Sequence, residues 1–368
     1  MNNNKSEKST SINKQQQKAG DYATQVQAGT VIMGVDEKRV REVFNEMLPL
    51  ALQNYSKEAE EVARQRVGIF EEKLFQNMIK TSTIKALKDP AIQTQLVEAQ
   101  KIAISTDKEQ DYDMLSELMI QRFRAGKDRN KITGISKAIE AVDKLSDEAL
   151  QGLTLLFAIN SYTPSNGDLN SRLKILDDLY SKLVYCELPR GDEWIDSLDI
   201  HNAIRVNSLG GMIKFENIWF QFFDGFVKNG ILVSSDNFKI ALEKLKSVGL
   251  TESIFVENSA DINYVKLNFA NKAEIKKALL VSNVVTTKAS DEQIQMLEEI
   301  YDLYDGSAIS MEDFITVLDN YSSLVTVRDW WNNTLVKYSL QVTTVGRALA
   351  ETNSQRIDST LPKVEIQQ

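Results

Sequence analysis

Proline is scarce in this chain, with only five among 368 residues, and this scarcity favours long helices. Between the prolines, apolar side chains recur at spacings of three and four residues, which is the period of an amphipathic helix. A strong helix start is Asp89 followed by Pro90, a capping residue with proline at the first helical position. Further helix starts are predicted at Asp36, Ser56, Ser146, Ser235, Ser290 and Ser310. We therefore predict a mostly α-helical fold.

Strand-like patterns are few and short. Residues 254–257 and 262–269 are β-prone and are joined by a polar turn, so we predict a β-hairpin there. Residues 338–343 form an extended segment before a helix that begins at Thr344, an arrangement that resembles the end of a winged-helix domain. We therefore predict a small α+β, winged-helix-like element in the C-terminal half. The aromatic-rich residues 194–228 are expected to supply the core of that half.

Changes in composition divide the chain into five parts. Residues 1–18 are a polar, low-complexity tail that we expect to be disordered. Residues 19–34 form a β-prone motif bounded by glycines, and residues 35–187 are predicted to form a helical domain. Residues 188–356 are predicted to form a helical α+β domain that contains the hairpin and the winged-helix-like end, and residues 357–368 a flexible tail.

The motif at residues 19–34 is predicted to mediate self-association. Its two short strands are marginal alone, but copies stacked from several chains would pair the exposed strand edges. The helix that follows carries a stripe of Val40, Phe44 and Met47, which we expect to stay exposed so that neighbouring copies can bundle. The residues predicted to carry the self-association are Gly20, Val26, Gln27, Gly29, Val31 and Gly34.

The residue inventory excludes several catalytic chemistries. The chain has one cysteine, Cys186, and one histidine, His201, so zinc sites of the usual Cys/His type cannot form. Cys186 is expected to be a small buried side chain, and no nucleophile motif accompanies His201. No phosphate-cradling glycine loop occurs, and we predict no cofactor. A non-enzymatic protein is therefore favoured, and a hydrolase built on carboxylates is a further alternative. The Glu274-Ile-Lys276 spacing is one that such a hydrolase could use, but it occurs within a helical pattern.

Charge and hydropathy indicate a cytoplasmic protein that does not enter membranes. No apolar run approaches the roughly 20 residues that span a bilayer, and the first residues lack the apolar core of a signal peptide. A single cysteine suits a reducing compartment. The formal net charge of −9 makes nucleic acid a disfavoured partner unless a local basic patch overrides it.

One such basic patch exists. We call it the basic cluster: Arg122, Arg124, Lys127, Arg129 and Lys131, at the predicted end of a helix and in the loop after it. These cations could bind an anion or an acidic partner, or could simply complement the helix dipole. The cluster and the winged-helix-like end together suggest a nucleic-acid-associated regulator as the alternative function. However, residues 290–352 carry eleven acids against three cations, which opposes that alternative.

Several segments together resemble a family of uncharacterised bacterial proteins. The segments that carry the resemblance are the Gly20–Gly29 opening, Asp89-Pro90 to Gln93, Ala99-Gln100, the Leu115–Arg122 helix, Leu145–Leu150 and Thr344–Ala350. Similar glycine-bounded openings occur on bacterial proteins suspected of roles in phage defence and in signalling by ordered assembly. The resemblance implies no established activity. Our leading hypothesis is a self-associating interaction or adaptor protein whose partners are itself and another protein.

Overall fold

A computed structural model describes residues 35–53, 55–165, 167–207, 209–258, 260–282, 285–306 and 308–364. Its first eight helices are α1 (Val35–Leu52), α2 (Lys57–Thr81), α3 (Pro90–Ser105), α4 (Glu109–Arg124), α5 (Arg129–Ala141), α6 (Asp147–Ser161), α7 (Leu169–Leu183) and α8 (Glu193–Ile200). The others are α9 (Phe215–Phe222), α10 (Asp224–Val227), α11 (Asp236–Ser247), α12 (Lys272–Ile275), α13 (Asp291–Tyr301), α14 (Met311–Leu318), α15 (Ser322–Thr334) and α16 (Thr344–Ile357).

Seven short strands form three small antiparallel sheets within these residues. The strands are β1 (Ile204–Asn207), β2 (Ile231–Leu232), β3 (Phe255–Glu257), β4 (Tyr264–Leu267), β5 (Leu279–Ser282), β6 (Val285–Lys288) and β7 (Ser339–Val342). β1 pairs with β7, β4 lies between β2 and β3, and β5 pairs with β6. The predicted mostly α-helical fold with small α+β elements is confirmed.

The largest hydrophobic core takes in residues of α1–α10 and of α14–α16, and α16 is the last helix of the described chain. α16 packs against α4, α5 and α6, although it comes from the segment that the sequence assigns to the second domain. Its buried Leu349 and Ala350 belong to the same core as Leu153 of α6. The C-terminal helix is therefore part of the N-terminal helical body, and the division at residues 187–188 stays a prediction.

The pairing of β1 with β7 fixes where α16 begins. Ile204 lies opposite Val342, and the backbone N–H of Thr343 donates to the Ala203 carbonyl at 3.0 Å. At Gly346 a Cβ atom would lie 1.9 Å from that same carbonyl oxygen, so only glycine lets the first turn of α16 pass this close to the strand. The register of two short strands thus sets the position of the helix.

A second, smaller core lies beneath the β2–β4–β3 sheet. It is formed by α11, α13 and the sheet, with Leu245, Leu267 and Leu297 at its centre. A buried ion pair between Arg172 of α7 and Glu274 of α12 connects this region to the larger body. The second core is therefore linked to the first by a charged contact as well as by apolar packing.

Helix α1 departs from the sequence prediction in two ways. It continues through Pro49 to Leu52, beyond the expected end near Leu48. Val40 and Phe44 are 0% and 4% exposed, because they pack into the larger core, and Met47 packs partly buried against it. The expectation that this stripe stays exposed for bundling between copies is therefore wrong. In the described part of the chain, no helix is both long and apolar enough to cross a membrane.

Candidate functional site

The predicted site residues fall in two places. Gly20, Val26, Gln27, Gly29, Val31 and Gly34, the predicted self-association residues, lie outside the described residues. The basic cluster is described in full: Arg122 and Arg124 lie in the last turn of α4, and Arg129 and Lys131 in the first turn of α5. The candidate site is built around the turn between these two helices.

Two residues shape this turn. Gly126 has a φ of +59°, in the left-handed region that favours glycine, and it reverses the chain after α4. Asp128 then caps α5, because its carboxylate accepts hydrogen bonds from the backbone N–H groups of Asn130 and Lys131, each at 3.1 Å. The chain leaves α4 and enters α5 within a few residues, so cations from both helix ends lie on one side of the turn.

A cavity of about 250 Å³ opens beside this turn, and we call it the cationic groove. Its floor is apolar, with Ile135, Ala348 and Val364 among the lining residues, and Glu351 is the one acid in the lining. Four cations line the groove: Arg124, Lys131, Arg347 and Lys363. The structure thus joins two members of the basic cluster to two cations from the C-terminal part of the chain.

Close packing of α16 on α5 places Arg347 in the groove. A Cβ atom at Gly134 would lie 3.0 Å from the Thr344 Cβ, so the glycine lets the two helices approach closely. Thr343 caps α16 by accepting a hydrogen bond from the Gly346 N–H at 3.1 Å. The first turn of α16, which carries Arg347, is therefore held against the start of α5.

The segment after α16 supplies the fourth cation. Asp358 pairs with Lys182 at 2.7 Å, and hydrogen bonds from Lys182 and Thr360 lower the pKa of that carboxyl to about 2. The Lys363 ammonium lies 3.2 Å from Glu117, and the Val364 N–H donates to Glu351 at 2.9 Å. Residues 358–364, part of the segment predicted as a flexible tail, are thus bonded to the helical body at three points.

The groove carries a surplus of positive charge. The side chains of Arg124 and Arg347 make no hydrogen bond and no ion pair with any described residue, and Lys131 only approaches Asp128 at 4.0 Å. Burial raises the pKa of the Glu351 carboxyl, although the Val364 N–H, Lys363 and Arg347 act in the opposite direction. Two guanidinium groups with free donors favour an oxyanion, whereas an ionised Glu351 would oppose one.

The other three members of the basic cluster do not line the groove. Arg122 is only 8% exposed, and its Nε has no hydrogen-bond partner among the described residues. Lys127 and Arg129 are exposed and do not belong to the cavity lining. Sequence reasoning missed Arg347 and Lys363, because no local pattern shows that the C-terminal helix and the segment after it pack beside α4.

The single cysteine and histidine lie in settings that do not favour a nucleophile. Cys186 is half-buried rather than buried as expected, and desolvation, followed by Glu148 and Asp147, raises the pKa of its thiol to about 11. Desolvation, with Lys144, lowers the pKa of His201. The thiol's recorded contact is the Glu187 carbonyl at 3.7 Å, which does not activate it.

A metal site could also be built from carboxylates alone. Within the described ranges no group of three or more His, Cys, Asp or Glu side chains is placed to hold a metal ion. Glu274, the acid of the Glu-Ile-Lys spacing, is occupied by its ion pair with Arg172 and accepts the Ala270 N–H at 2.9 Å. Its role in the structure is therefore to join α7 to α12.

Comparison with known proteins places the chain in a family. The model of an uncharacterised family matches residues 34–364, and the chain belongs to that family. No curated protein and no solved structure matches the chain significantly. The matched residues include all of the cationic groove and begin at the last glycine of the predicted self-association motif.

Proposed function

We propose that this chain is a non-enzymatic interaction protein that associates with copies of itself through residues 19–34. The observation that carries the proposal is the placement of that motif: α1 begins at Val35, directly after it. The motif combines alternating β-prone residues with bounding glycines, a pattern that gains backbone hydrogen bonds when copies stack. Another protein, recognised by the helical body, would be the second partner.

Helix α1, which begins directly after the motif in the sequence, is packed firmly against the body. Val40, Val43 and Phe44 are buried in the larger core, where α1 packs on α3. The Arg41 guanidinium also lies over the Phe75 ring at 5.2 Å. Association through residues 19–34 would therefore be transmitted to the body through α1.

The exposed face of α1 suits close approach of several copies. Its charges are of both signs and are paired locally, with Arg41 3.1 Å from Glu37 and Arg39 3.2 Å from Glu42. Because positive and negative charges are mixed on this face, neighbouring copies would meet little electrostatic repulsion. Because the apolar stripe of α1 is buried in its own body, that stripe is not available for association, and we assign the association to the motif.

Size limits how many copies can stack. Paired strands repeat about every 4.8 Å, whereas a body of about 330 residues is roughly 50 Å across. Bodies joined directly to the strands cannot follow one another at that spacing along a straight stack. We therefore expect an assembly of few copies rather than a long fibril.

Substitution within the motif tests this proposal. Val26→Asp places a charge in the stacked strands, and like charges on successive copies repel one another. Multi-angle light scattering should give a small multiple of 41.6 kDa for the natural chain and a mass near 41.6 kDa for this variant. Ser11→Asp, the same charge change in the polar tail, is the matched control and should leave the mass unchanged. Equal masses for Val26→Asp and the natural chain would refute the proposal.

A further inference from the structure

The cationic groove has the chemistry of a ligand site that is independent of self-association. It combines four cations with one half-buried carboxyl above an apolar floor. Two of the cations, Arg124 and Arg347, make no side-chain hydrogen bond or ion pair within the described part of the chain. The chain has 52 acids against 43 cations, yet neither of these two guanidinium groups forms an ion pair with a described carboxylate. Their donors are therefore available to a ligand in the cavity.

We propose that the cationic groove binds a small organic phosphate, with Arg124 and Arg347 holding the phosphate group. The planar guanidinium group matches the oxygens of a phosphate in a two-point contact. Lys131 and Lys363 lie at the rim, where each approaches a carboxylate outside the lining, Asp128 and Glu117 respectively, so the excess over Glu351 comes from the two guanidinium groups. A phosphate is favoured over a carboxylate because its three terminal oxygens can engage both guanidinium groups at once.

The apolar floor of the groove indicates the chemistry of the part of the ligand that lies away from the phosphate. Ile135, Ala348 and Val364 present apolar surface next to the cations. A cavity of about 250 Å³ accommodates a group about the size of a nucleoside or smaller. A nucleoside monophosphate has a flat aromatic base whose faces can lie on apolar surface, and a charged phosphate, so it serves as the probe.

A nucleic-acid strand fits the groove less well than a small molecule. A strand presents its phosphates in a row, so a protein that binds it needs cations along a track. Here the cations converge on one cavity, and Lys127 and Arg129, which would extend a track, lie outside its lining. The acidic average of the chain also opposes a long polyanion.

The groove is assembled from three separate segments, so binding should order them together. Arg124 and Lys131 flank the α4–α5 turn, Arg347 lies on α16, and Lys363 follows α16. A phosphate held between Arg124 and Arg347 would tie the turn to the C-terminal helix. The ligand should therefore raise the unfolding temperature of the full chain.

Calorimetric titration of the full chain with adenosine monophosphate tests the proposal, with adenosine and a single-stranded oligonucleotide as parallel ligands. We expect the monophosphate to bind and adenosine to bind at least about tenfold more weakly, because the charge-assisted contacts are lost. Arg124→Gln and Arg347→Gln should each weaken monophosphate binding about tenfold or more. Arg129→Gln removes the same charge from the same cluster outside the groove, and should change the affinity by less than about twofold.

Three results would overturn the proposal. The first is no binding of the monophosphate at millimolar concentration. The second is an equal loss with Arg129→Gln and Arg124→Gln, which would indicate diffuse charge rather than a site. The third is binding of the oligonucleotide without the monophosphate, which would favour a nucleic-acid surface. Each result is independent of the mass of the assembly, so it leaves the self-association proposal untouched.

Discussion

Arg172 offers the sharpest test of how the two cores are joined. Its side chain is 2% exposed, and its guanidinium donates to the carbonyls of Gly167 and Pro164, each at 2.9 Å, as well as to Glu274. The same guanidinium lies over the Phe226 ring at 4.9 Å. One buried cation thus connects α7 with α12 and with the aromatic segment near α10.

Arg172→Met should lower the free energy of unfolding by roughly 3–5 kcal/mol, the usual cost of leaving a buried charge without its partner. Glu274 would lose its cation while its side chain stays 20% exposed, and the buried Pro164 carbonyl and the Gly167 carbonyl would lose their donor. Combining Arg172→Met with Glu274→Gln removes both charges and keeps an acceptor for the Ala270 N–H. The double variant should therefore be at least about 1 kcal/mol more stable than the sum of the two single effects predicts.

Equilibrium urea unfolding followed by circular dichroism measures these differences. Arg190→Met is the matched control, because Arg190 pairs with Glu187 at 3.1 Å while both side chains are more than 70% exposed. An exposed pair of this kind contributes less than about 1 kcal/mol. A loss below about 1 kcal/mol for Arg172→Met, or strict additivity in the double variant, would refute the role that we assign to the buried pair.

Two further predictions concern stability. Burial lowers the pKa of Lys266 to about 8. Between pH 8 and 10.5, Lys266 is therefore deprotonated in the folded chain but still protonated in the unfolded chain, so the free energy of unfolding rises with pH. The rise from this group is at most about 3 kcal/mol. Urea unfolding at several pH values should show that rise in the natural chain and a smaller rise in Lys266→Met. Equal slopes of the free energy of unfolding against pH in the two proteins would contradict the prediction. Gly346→Ala should lower the free energy of unfolding by about 1–3 kcal/mol, because the added Cβ meets the Ala203 carbonyl. Gly68→Ala should leave it unchanged or raise it, because nothing lies within 4 Å of the added Cβ. Thermal unfolding compares the two glycine variants, and equal melting temperatures would rule out the tight contact at Gly346.

Local structure was largely predictable because its signals lie within a few residues of one another. The five predicted serine caps act as expected: Ser56, Ser146, Ser235, Ser290 and Ser310 each accept a hydrogen bond from a backbone N–H three residues later. The predicted start at Asp36 is wrong by one residue, because α1 begins at Val35. Asp89 accepts the Ala91 N–H, with Pro90 at the first helical position. The predicted hairpin also forms, since β3 pairs antiparallel with β4.

Long-range packing was not predictable in this way. The pairing of β1 with β7, and the insertion of α16 beside α4, α5 and α6, join segments that are far apart in sequence. The apolar stripe of α1 had the right period for a helix, but its period could not show whether it faces the chain's own core or another copy. For the same reason Arg347 and Lys363 could not be assigned to the groove, whereas Arg124 and Lys131 could be singled out from local charge alone.

Light scattering on the full chain and on a chain that starts at Val35 tests the central claim most directly. The shortened chain keeps every buried residue of the described part, including Val40 and Phe44, so it should fold with an unchanged circular dichroism spectrum per residue. At matched concentrations the full chain should have a mass that is a small multiple of 41.6 kDa, and the shortened chain a mass slightly below 41.6 kDa. The same number of copies in both assemblies would contradict self-association through residues 19–34.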